Sequence, residues 1–457
     1  MLDEDLVRFF ASKVKTGFYG DIRLIESEGL FLAVENGEFK NVSRLRDCGF
    51  GIRLMKDGIW GSASSNTLSK RAIVSALGSA ESYLKAKLDS KIRFNIKPES
   101  NTVNLKPTWK EDLRKVDINK KSELVLELDN AARGKKIIST MSGYNELISQ
   151  WMIGSNMGNL VSFYNSYPFL YVSAFVKDKN SVQSISKTIG GNCGFELFQS
   201  DAAQELGAGA RKDAENLIGA KVVKGGKYDV VLDPSMTGVY THEAFGHATE
   251  ADAVLAGGSI LEHKLDKKVG NDLITIVDDP TIPGAAGSFV YDQEGTKAVK
   301  RVLVENGTLK AYLNTLETSN RLGLSPNGAA RSFNHTFNPI ARMSNTFIKP
   351  GDFKKDIIED IKDGISFYGF RYGYVDPATG KFMFKSQCGR KIKNGKLGEF
   401  VRDVSLTGLT LDVLNKIDAV GSNFALNPGD CGKGGQWVPV TSGGPTIRLR
   451  EMVVGGQ

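Results

Sequence analysis

Residues 228–252 read YDVVLDPSMTGVYTHEAFGHATEAD, and this stretch predicts how the second half of the chain is built. Residues 228–235 are typical of a buried strand, then a turn, then a helix whose N-cap is Ser235. The predicted helix carries His242, Glu243 and His247, which include two of the four histidines in the chain. A helix that follows a core strand directly is a rigid support for side chains that hold a metal.

The spacing of the two histidines constrains the shape of that helix. His242 and His247 bracket Glu243 in an H-E-x-x-x-H pattern, one residue longer than the H-E-x-x-H of zinc proteases, where the glutamate acts as base. Positions five apart on a regular α-helix differ by roughly 140° in direction, whereas positions four apart differ by roughly 40°. Shared metal ligation therefore requires a π-bulge or local unwinding, which we place at Gly246. On this pattern alone, a chance grouping on a solvated helix face stays open.

A catalytic zinc site usually has three protein ligands, so a third is needed. Cys431 is the best candidate, because it lies in the glycine-rich run at residues 427–436, a predicted turn where a thiolate can approach a metal without crowding. Cys48 and Cys193 are predicted to be small buried apolar side chains. Cys388, close to several basic residues, fits either a metal ligand or a small buried apolar side chain.

The acidic residues after the motif have three possible roles. Glu250 and Asp252 are metal ligands, partners that orient the histidines, or members of a solvated helix face, and the partner role is favoured for one of them. His263 follows a Gly-Gly-Ser turn among lysines and is predicted to lie on the surface.

The chain is longer than a single hydrophobic core usually supports, since it has 457 residues. We predict an α+β protein with a mixed N-terminal domain, residues 1–220, whose two halves are joined by a loop near 98–109. Residues 221–457 form the predicted catalytic domain. It is strand-rich, with a curved antiparallel or barrel-like sheet and the histidine helix. The 50 glycines agree with many turns.

Charge and cysteine usage exclude several classes of protein. The net charge of +7 comes from basic residues scattered among acids, so nucleic acid is not the expected partner. The four cysteines form neither a C-x-x-C pair nor a disulfide framework, which favours the reducing cytoplasm. The N-terminus lacks the features of a signal peptide, and no window approaches ~20 apolar residues, so we expect no membrane association.

Two motifs together resemble those of the TldD/PmbA family, the modulators of gyrase and microcin-processing metalloproteases. They are HEAFGHATEAD at 242–252 and NPGDCGKGGQWVPV at 427–440, with support from 277–284, 292–296 and 342–346. The resemblance is strong over 225–457 and weaker over 15–220. It is closest to active TldD-type members, since inactive partners lack the histidine motif. The stretch 332–342 is longer than the corresponding family loop, which leaves the role of His335 open.

The resemblance implies a zinc metalloprotease. One zinc ion would be held by His242, His247 and Cys431, with Glu243 activating the bound water. It also implies a homodimer or a heterodimer with an inactive paralogue. A metal at this position would polarise the scissile carbonyl, and the candidate donors to the resulting oxyanion are Tyr291, His335 and Arg342.

The expected substrate is a small or unfolded peptide, read as an added strand by a strand-rich domain. Two alternatives stay open. One is a zinc-stabilised subunit that binds peptides without cutting them. The other is a modulator associated with gyrase or nucleic acid.

Overall fold

The structure is a computed structural model that describes residues 2–85, 102–178, 181–198 and 201–455. Within these residues the strands form one large sheet in the N-terminal half and one large, one medium and one two-stranded sheet in the C-terminal half. None of the helices in the described ranges is long and apolar enough to cross a membrane.

The N-terminal half is a mainly antiparallel sheet with helices on one face. Its strands are β1 Tyr19–Glu35, β2 Glu38–Lys56, β3 Ile59–Ser65, β4 Thr102–Asn104, β5 Ile137–Ser155, β6 Leu160–Asp178 and β7 Ser181–Gly190. Its helices are α1 Glu4–Lys13, α2 Lys70–Tyr83, α3 Ile118–Ala132 and α4 Ala202–Glu215, with 3-10 turns at Leu113–Lys115 and Phe195–Phe198. The strand order is β3-β2-β1-β5-β6, and both β4 and β7 pair with β6.

The predicted loop near 98–109 is partly strand. Residues 102–104 form β4, which runs parallel to the start of β6, because Thr102, Val103 and Asn104 pair with Leu160, Val161 and Ser162. Residues 98–101 lie outside the described residues.

Side-chain alternation decides which face of this sheet the helices cover. Even-numbered positions such as Tyr144, Leu170 and Val172 are buried in one apolar cluster with residues of α3 and α4. Because successive strand residues point to opposite faces, the odd-numbered positions of β5 and β6 face away from the helices. That second face turns towards the C-terminal half of the chain.

The C-terminal half contains the remaining strands. They are β8 Lys221–Val222, β9 Gly226–Leu232, β10 Ile276–Asp278, β11 Arg301–Glu305, β12 Thr308–Leu309, β13 Ala330–Arg331, β14 Ile340–Ala341, β15 Asn345–Ile348, β16 Asp363–Asp376, β17 Lys381–Lys393, β18 Lys396–Arg402, β19 Ser405–Leu409, β20 Ile417–Val420, β21 Ala425–Lys433, β22 Gln436–Gly444 and β23 Ile447–Gly455. The helices are α5 Pro234–Val239, α6 Ala251–Leu255, α7 Leu316–Leu322 and α8 Thr410–Lys416.

Five of these strands close a barrel. The order β16-β9-β23-β19-β17 returns to its start because β16 also pairs with β17, and β9 runs parallel to β16. Val230, Phe367 and Phe384 are among the buried residues of the apolar cluster in this half. The predicted α+β class with a barrel-like second part is confirmed, although the barrel is not purely antiparallel.

A second sheet, in the order β12-β11-β10-β15-β22-β21, lies beside the barrel and carries the β21–β22 hairpin. Helix α5 approaches β22 very closely, since a Cβ atom on Gly238 would lie 2.5 Å from the backbone nitrogen of Gly443. Such a contact admits only glycine. It brings the hairpin next to the segment that follows α5.

The two halves are joined by a buried ion-pair network. Arg53 on β2 lies 2.6 Å from Asp21 and 2.9 Å from Glu294 of the C-terminal half, and all three side chains are almost fully buried. Removing one partner from such a network typically costs about 3–5 kcal/mol. The chain passes between the halves before β8, which pairs with β18. The division into one domain over residues 1–220 and another over 221–457 stays a prediction.

Candidate metal centre

The helix that carries the histidines starts where strand β9 ends. Asp233, not Ser235, is its N-cap, since the Asp233 carboxylate accepts a hydrogen bond from the Met236 N–H at 2.8 Å. Pro234 then occupies the first helical turn, where its missing N–H has no cost. The sequence prediction of Ser235 was therefore wrong by two residues, while the buried strand before it is confirmed.

The helix is distorted over the whole motif. Residues Tyr240–Gly246 form a π-helical segment, and His247–Thr249 continue as a 3-10 turn. The backbone N–H of His247 donates to the carbonyl of His242, five residues earlier. This wider turn brings positions five apart onto one face, and the centres of the two imidazole rings lie 5.3 Å apart. The predicted distortion is confirmed, but it begins at Tyr240.

Gly246 has a different role from the one expected of it. Its φ of −57° is ordinary for a helix, so conformational freedom does not explain the glycine. A Cβ atom at this position would lie 2.0 Å from the sulfur of Met343. Gly246 therefore permits close packing of the π-helical segment against Met343.

Cys431 joins the histidines from the neighbouring hairpin. It lies on strand β21 opposite Val438, not in a turn; the turn is at Gly434 and Gly435, both with positive φ. The Cys431 sulfur is 3.5 Å from Nε2 of His247. One ligand atom each from His242, His247 and Cys431 lies within 4.8 Å of the others.

These three donors fit a tetrahedral zinc ion. Zn–N and Zn–S bonds of about 2.0–2.3 Å place neighbouring ligand atoms roughly 3.3 to 3.6 Å apart. The distance from the Cys431 sulfur to Nε2 of His247 matches this, and the other two pairs lie within 4.8 Å. Nδ1 of His242 is buried and has no hydrogen-bond partner among the described residues. A buried polar atom left without a partner is costly, and a metal ion held through that nitrogen would supply the missing partner.

The cysteine and the two histidines shift one another's pKa values towards the charged forms, a thiolate beside imidazolium rings. Burial alone raises the pKa of the Cys431 thiol, but the adjacent His242 and His247 outweigh it and lower the pKa to about 5. Burial lowers the pKa of His247, yet Glu250 and Cys431 reverse this and raise it above the ordinary value. The cysteine is thus prepared as a thiolate, the form that binds metals.

Glu250 orients His247, which settles one alternative left open by the sequence. Its carboxylate lies 2.9 Å from Nδ1 of His247 and is almost fully buried. Lys433 lies 3.0 Å from the same carboxylate oxygen and 2.7 Å from Asp252. Asp252 therefore pairs with Lys433.

Sequence reasoning missed Lys433. A signal was available, because Lys433 follows Cys431 by two residues and side chains two apart on a strand share a face. The predicted turn concealed it. Outside the centre, His263 lies on the surface as predicted, with its side chain 86% exposed.

Glu243 lies next to the ligand atoms and reaches solvent. Its carboxylate is 3.7 Å from Nε2 of His247, and its side chain is 34% exposed. It lines a cleft of about 720 Å³ between β7 and β21 and also a smaller opening of about 340 Å³ beside Lys433. A base at this position can contact water that enters from the cleft.

The three candidate oxyanion donors are engaged elsewhere. The Arg342 guanidinium donates to the backbone carbonyls of Cys431 and Gln436, so it supports the hairpin. Nε2 of His335 lies 2.9 Å from the side-chain oxygen of Asn66, a residue of the N-terminal half. Tyr291 belongs to an apolar cluster with Ile25 and Trp151.

Two of the other cysteines differ from prediction. Cys48 is exposed and Cys193 is half-buried, so neither is a fully buried apolar residue. Cys48 follows the long exposed stretch of β2, where residues 38–47 pair with β1 and with no other strand of the described residues. Cys388 is buried in the wall of the cleft, and burial together with Asp213 raises the pKa of its thiol to about 12.

Comparison with known proteins agrees with this geometry. Residues 225–456 match the PmbA/TldA metallopeptidase C-terminal domain, residues 111–221 its central domain and residues 20–83 its domain 1. The chain belongs to the PmbA/TldD metallopeptidase family. The matches extend over most of the chain and confirm the resemblance seen in the two motifs.

Individual family members are similar to this chain along nearly their whole length. A metalloprotease of Methanothermobacter thermautotrophicus is 40% identical over 443 residues, which cover 96% of this chain and 95% of the relative. A zinc metalloprotease TldD homolog of Saccharolobus solfataricus is 28% identical, covering 91% and 92%. A candidate modulator of a DNA gyrase from Thermotoga maritima has the same fold, with a TM-score of 0.81, 22% identity and 98% of both chains covered.

Proposed function

We propose that this PmbA/TldD protein is a zinc-dependent peptidase that hydrolyses small or unfolded peptides. The observation that carries the proposal is the meeting of three metal donors with a solvent-accessible carboxylate at one end of a cleft. Names of relatives such as metalloprotease and zinc metalloprotease support the same class of reaction.

His242, His247 and Cys431 would hold one zinc ion. When bound, zinc lowers the pKa of water towards ~7 and polarises a scissile carbonyl. Glu250 keeps the His247 ring in one orientation through its contact with Nδ1. The thiolate of Cys431 reduces the net charge that a divalent ion brings to this buried position.

Glu243 is the proposed general base. It takes a proton from water as the oxygen attacks the peptide carbonyl, and it returns that proton to the leaving amine. The half-exposed carboxylate can reach the cleft without losing its position beside His247. The described contacts of Arg342, His335 and Tyr291 do not support assigning the oxyanion to any of them.

The shape of the cleft favours an extended chain. Strand β21, an end strand of its sheet among the described residues, borders the cleft through residues 427–430. A free strand edge can hydrogen-bond an added peptide strand with little regard to its sequence. Folded proteins present few such segments, so we expect them to be spared.

The test combines metal analysis with peptide cleavage. The purified chain should contain zinc, cut an unfolded peptide mixture, stop after treatment with a chelator and resume when zinc is restored. Glu243→Gln should keep zinc and cut nothing. Cleavage by Glu243→Gln at the wild-type rate would refute the mechanism, and zinc with peptide binding but no turnover in the wild-type chain would favour a binding subunit.

A further inference from the structure

A second chamber opens from the catalytic cleft. Its volume is about 680 Å³, and it lies between the face of the N-terminal sheet that the helices leave uncovered and the β21–β22 hairpin. The cleft and the chamber share four wall residues, which are Thr188, Pro428, Gly429 and Asp430. The cleft and the chamber are therefore neighbours along strand β21, and a chain lying against β21 in the cleft would reach the border of the chamber at Pro428.

The chamber wall is mainly apolar and rich in aromatic rings. Trp151, Tyr167, Phe169 and Tyr171 come from odd-numbered positions of β5 and β6, the face that the helices leave uncovered. The hairpin contributes Trp437 from the other side. Ligand sites typically combine this size with predominantly hydrophobic and aromatic walls.

Glycines keep the chamber open. A Cβ atom on Gly190 would lie 2.4 Å from the ring of Phe169, and one on Gly143 would lie 2.3 Å from the ring of Tyr171. Each glycine is the cross-strand partner of the aromatic residue that covers it. The rings therefore lie along the sheet with their faces towards the chamber. A larger residue at either glycine would push the ring into that space.

We propose that this chamber binds a large apolar side chain of the peptide substrate, aromatic or aliphatic, about three residues from the scissile bond. The proposal rests on the peptidase function. Cys431 and Pro428 are three residues apart on β21, which is roughly 10 Å at about 3.3 Å per residue, and an extended peptide covers that distance in three residues. The chamber thus selects substrates in a reaction whose backbone recognition is otherwise permissive.

Binding is measured first, with Glu243→Gln protein so that nothing is cut. Fluorescein-labelled peptides differ only in carrying phenylalanine or serine at one position, moved in turn along the chain. Fluorescence anisotropy should show at least tenfold tighter binding of the phenylalanine peptide at one position and less than threefold at the others. Equal affinities at every position, or no binding of any peptide, would overturn the proposal.

Variants then assign the preference to the chamber. In the Glu243→Gln background, Phe169→Ala should reduce the preference to below threefold. Phe39→Ala makes the same change at a partly exposed position of β2 outside the chamber and should keep the preference. Leu147→Trp, which fills the chamber from a half-buried wall position, should also remove it and serves if Phe169→Ala fails to fold. A preference that survives both chamber variants would place the apolar contact elsewhere.

Cleavage by the wild-type chain separates this proposal from the proposed function. If peptides are cut with equal kcat/KM whether they carry phenylalanine or serine, the chamber proposal fails and the peptidase stands. If nothing is cut but the Glu243→Gln protein shows the positional preference, the peptidase fails and the chamber stands as a binding site for an apolar side chain of a peptide.

Discussion

Replacing Lys433 by methionine tests whether its contacts set the zinc affinity. In the structure Lys433 lies 3.0 Å from Glu250, which is almost fully buried and orients His247, and 2.7 Å from Asp252. Methionine keeps most of the apolar length of the side chain and removes the charge. The Glu250 carboxylate then loses its ion pair with Lys433 and holds His247 less firmly.

The expected loss follows from the position of Lys433 behind the ligands. Changes in groups that orient a metal ligand typically cost 10–100-fold in metal affinity, or about 1.4–2.7 kcal/mol. Because His247 still contacts Glu250, we expect the lower part of that range. Lys433→Arg, which keeps the charge, should lose less.

The assay is a competition titration of zinc against a chromophoric chelator at pH 7.5. Lys396→Met, at an exposed position of β18, is the matched control and should bind zinc like the wild-type chain. Circular dichroism and thermal unfolding check that each variant is folded. Zinc affinity within twofold of wild type in folded Lys433→Met protein would refute the role of this lysine.

Three further predictions concern the centre and the assembly. Cys431→Ser and His247→Ala should each lose zinc, because each removes a ligand. Glu243→Gln should keep zinc but lose hydrolysis by several orders of magnitude, because only the base is removed. Stoichiometric zinc in Cys431→Ser protein would show that the cysteine is not a ligand. In metal-free protein, the difference in thiolate absorbance at 240 nm between the wild-type chain and Cys431→Ser, which isolates Cys431 from the other three cysteines, should titrate with a midpoint near pH 5. The folded-state pKa of Cys431 lies below the value of about 8.5 in an unfolded chain, so the thiolate stabilises the fold fully above pH 8.5, and this contribution is lost as the pH falls through 5. A midpoint near 8.5 would contradict the pairing of Cys431 with His242 and His247. Finally, we expect a dimer in analytical ultracentrifugation, with the contact formed by the N-terminal domain or by the glycine-rich strands of the catalytic domain. Adding an inactive-type paralogue should raise the peptidase activity. A chain that is fully active as a monomer at all dilutions would show that activity does not require a dimer.

The sequence by itself predicted the donor types of the candidate centre and the distorted helix that carries two of them, because both depend on residue types and local spacing. Two histidines five apart can share a metal only on a distorted helix, and the π-helical segment over Tyr240–Gly246 confirms this reasoning. The buried strand before the helix is equally local, since residues 228–232 are rich in β-branched and apolar side chains. The N-cap was misplaced because Asp233 and Ser235 are both good caps, and only the hydrogen bond of Asp233 distinguishes them.

Tertiary structure alone decided which distant groups meet. Cys431 reaches the histidines on a strand because Gly238 lets α5 pack directly against β22, a contact between residues 205 positions apart. Lys433 acquires its role only when the hairpin lies beside Glu250. The aromatic chamber depends on the face of the N-terminal sheet that the helices leave uncovered and on how the C-terminal half packs over it. Local patterns specify the elements and their faces, whereas the packing of those faces against distant segments depends on contacts that no local pattern contains.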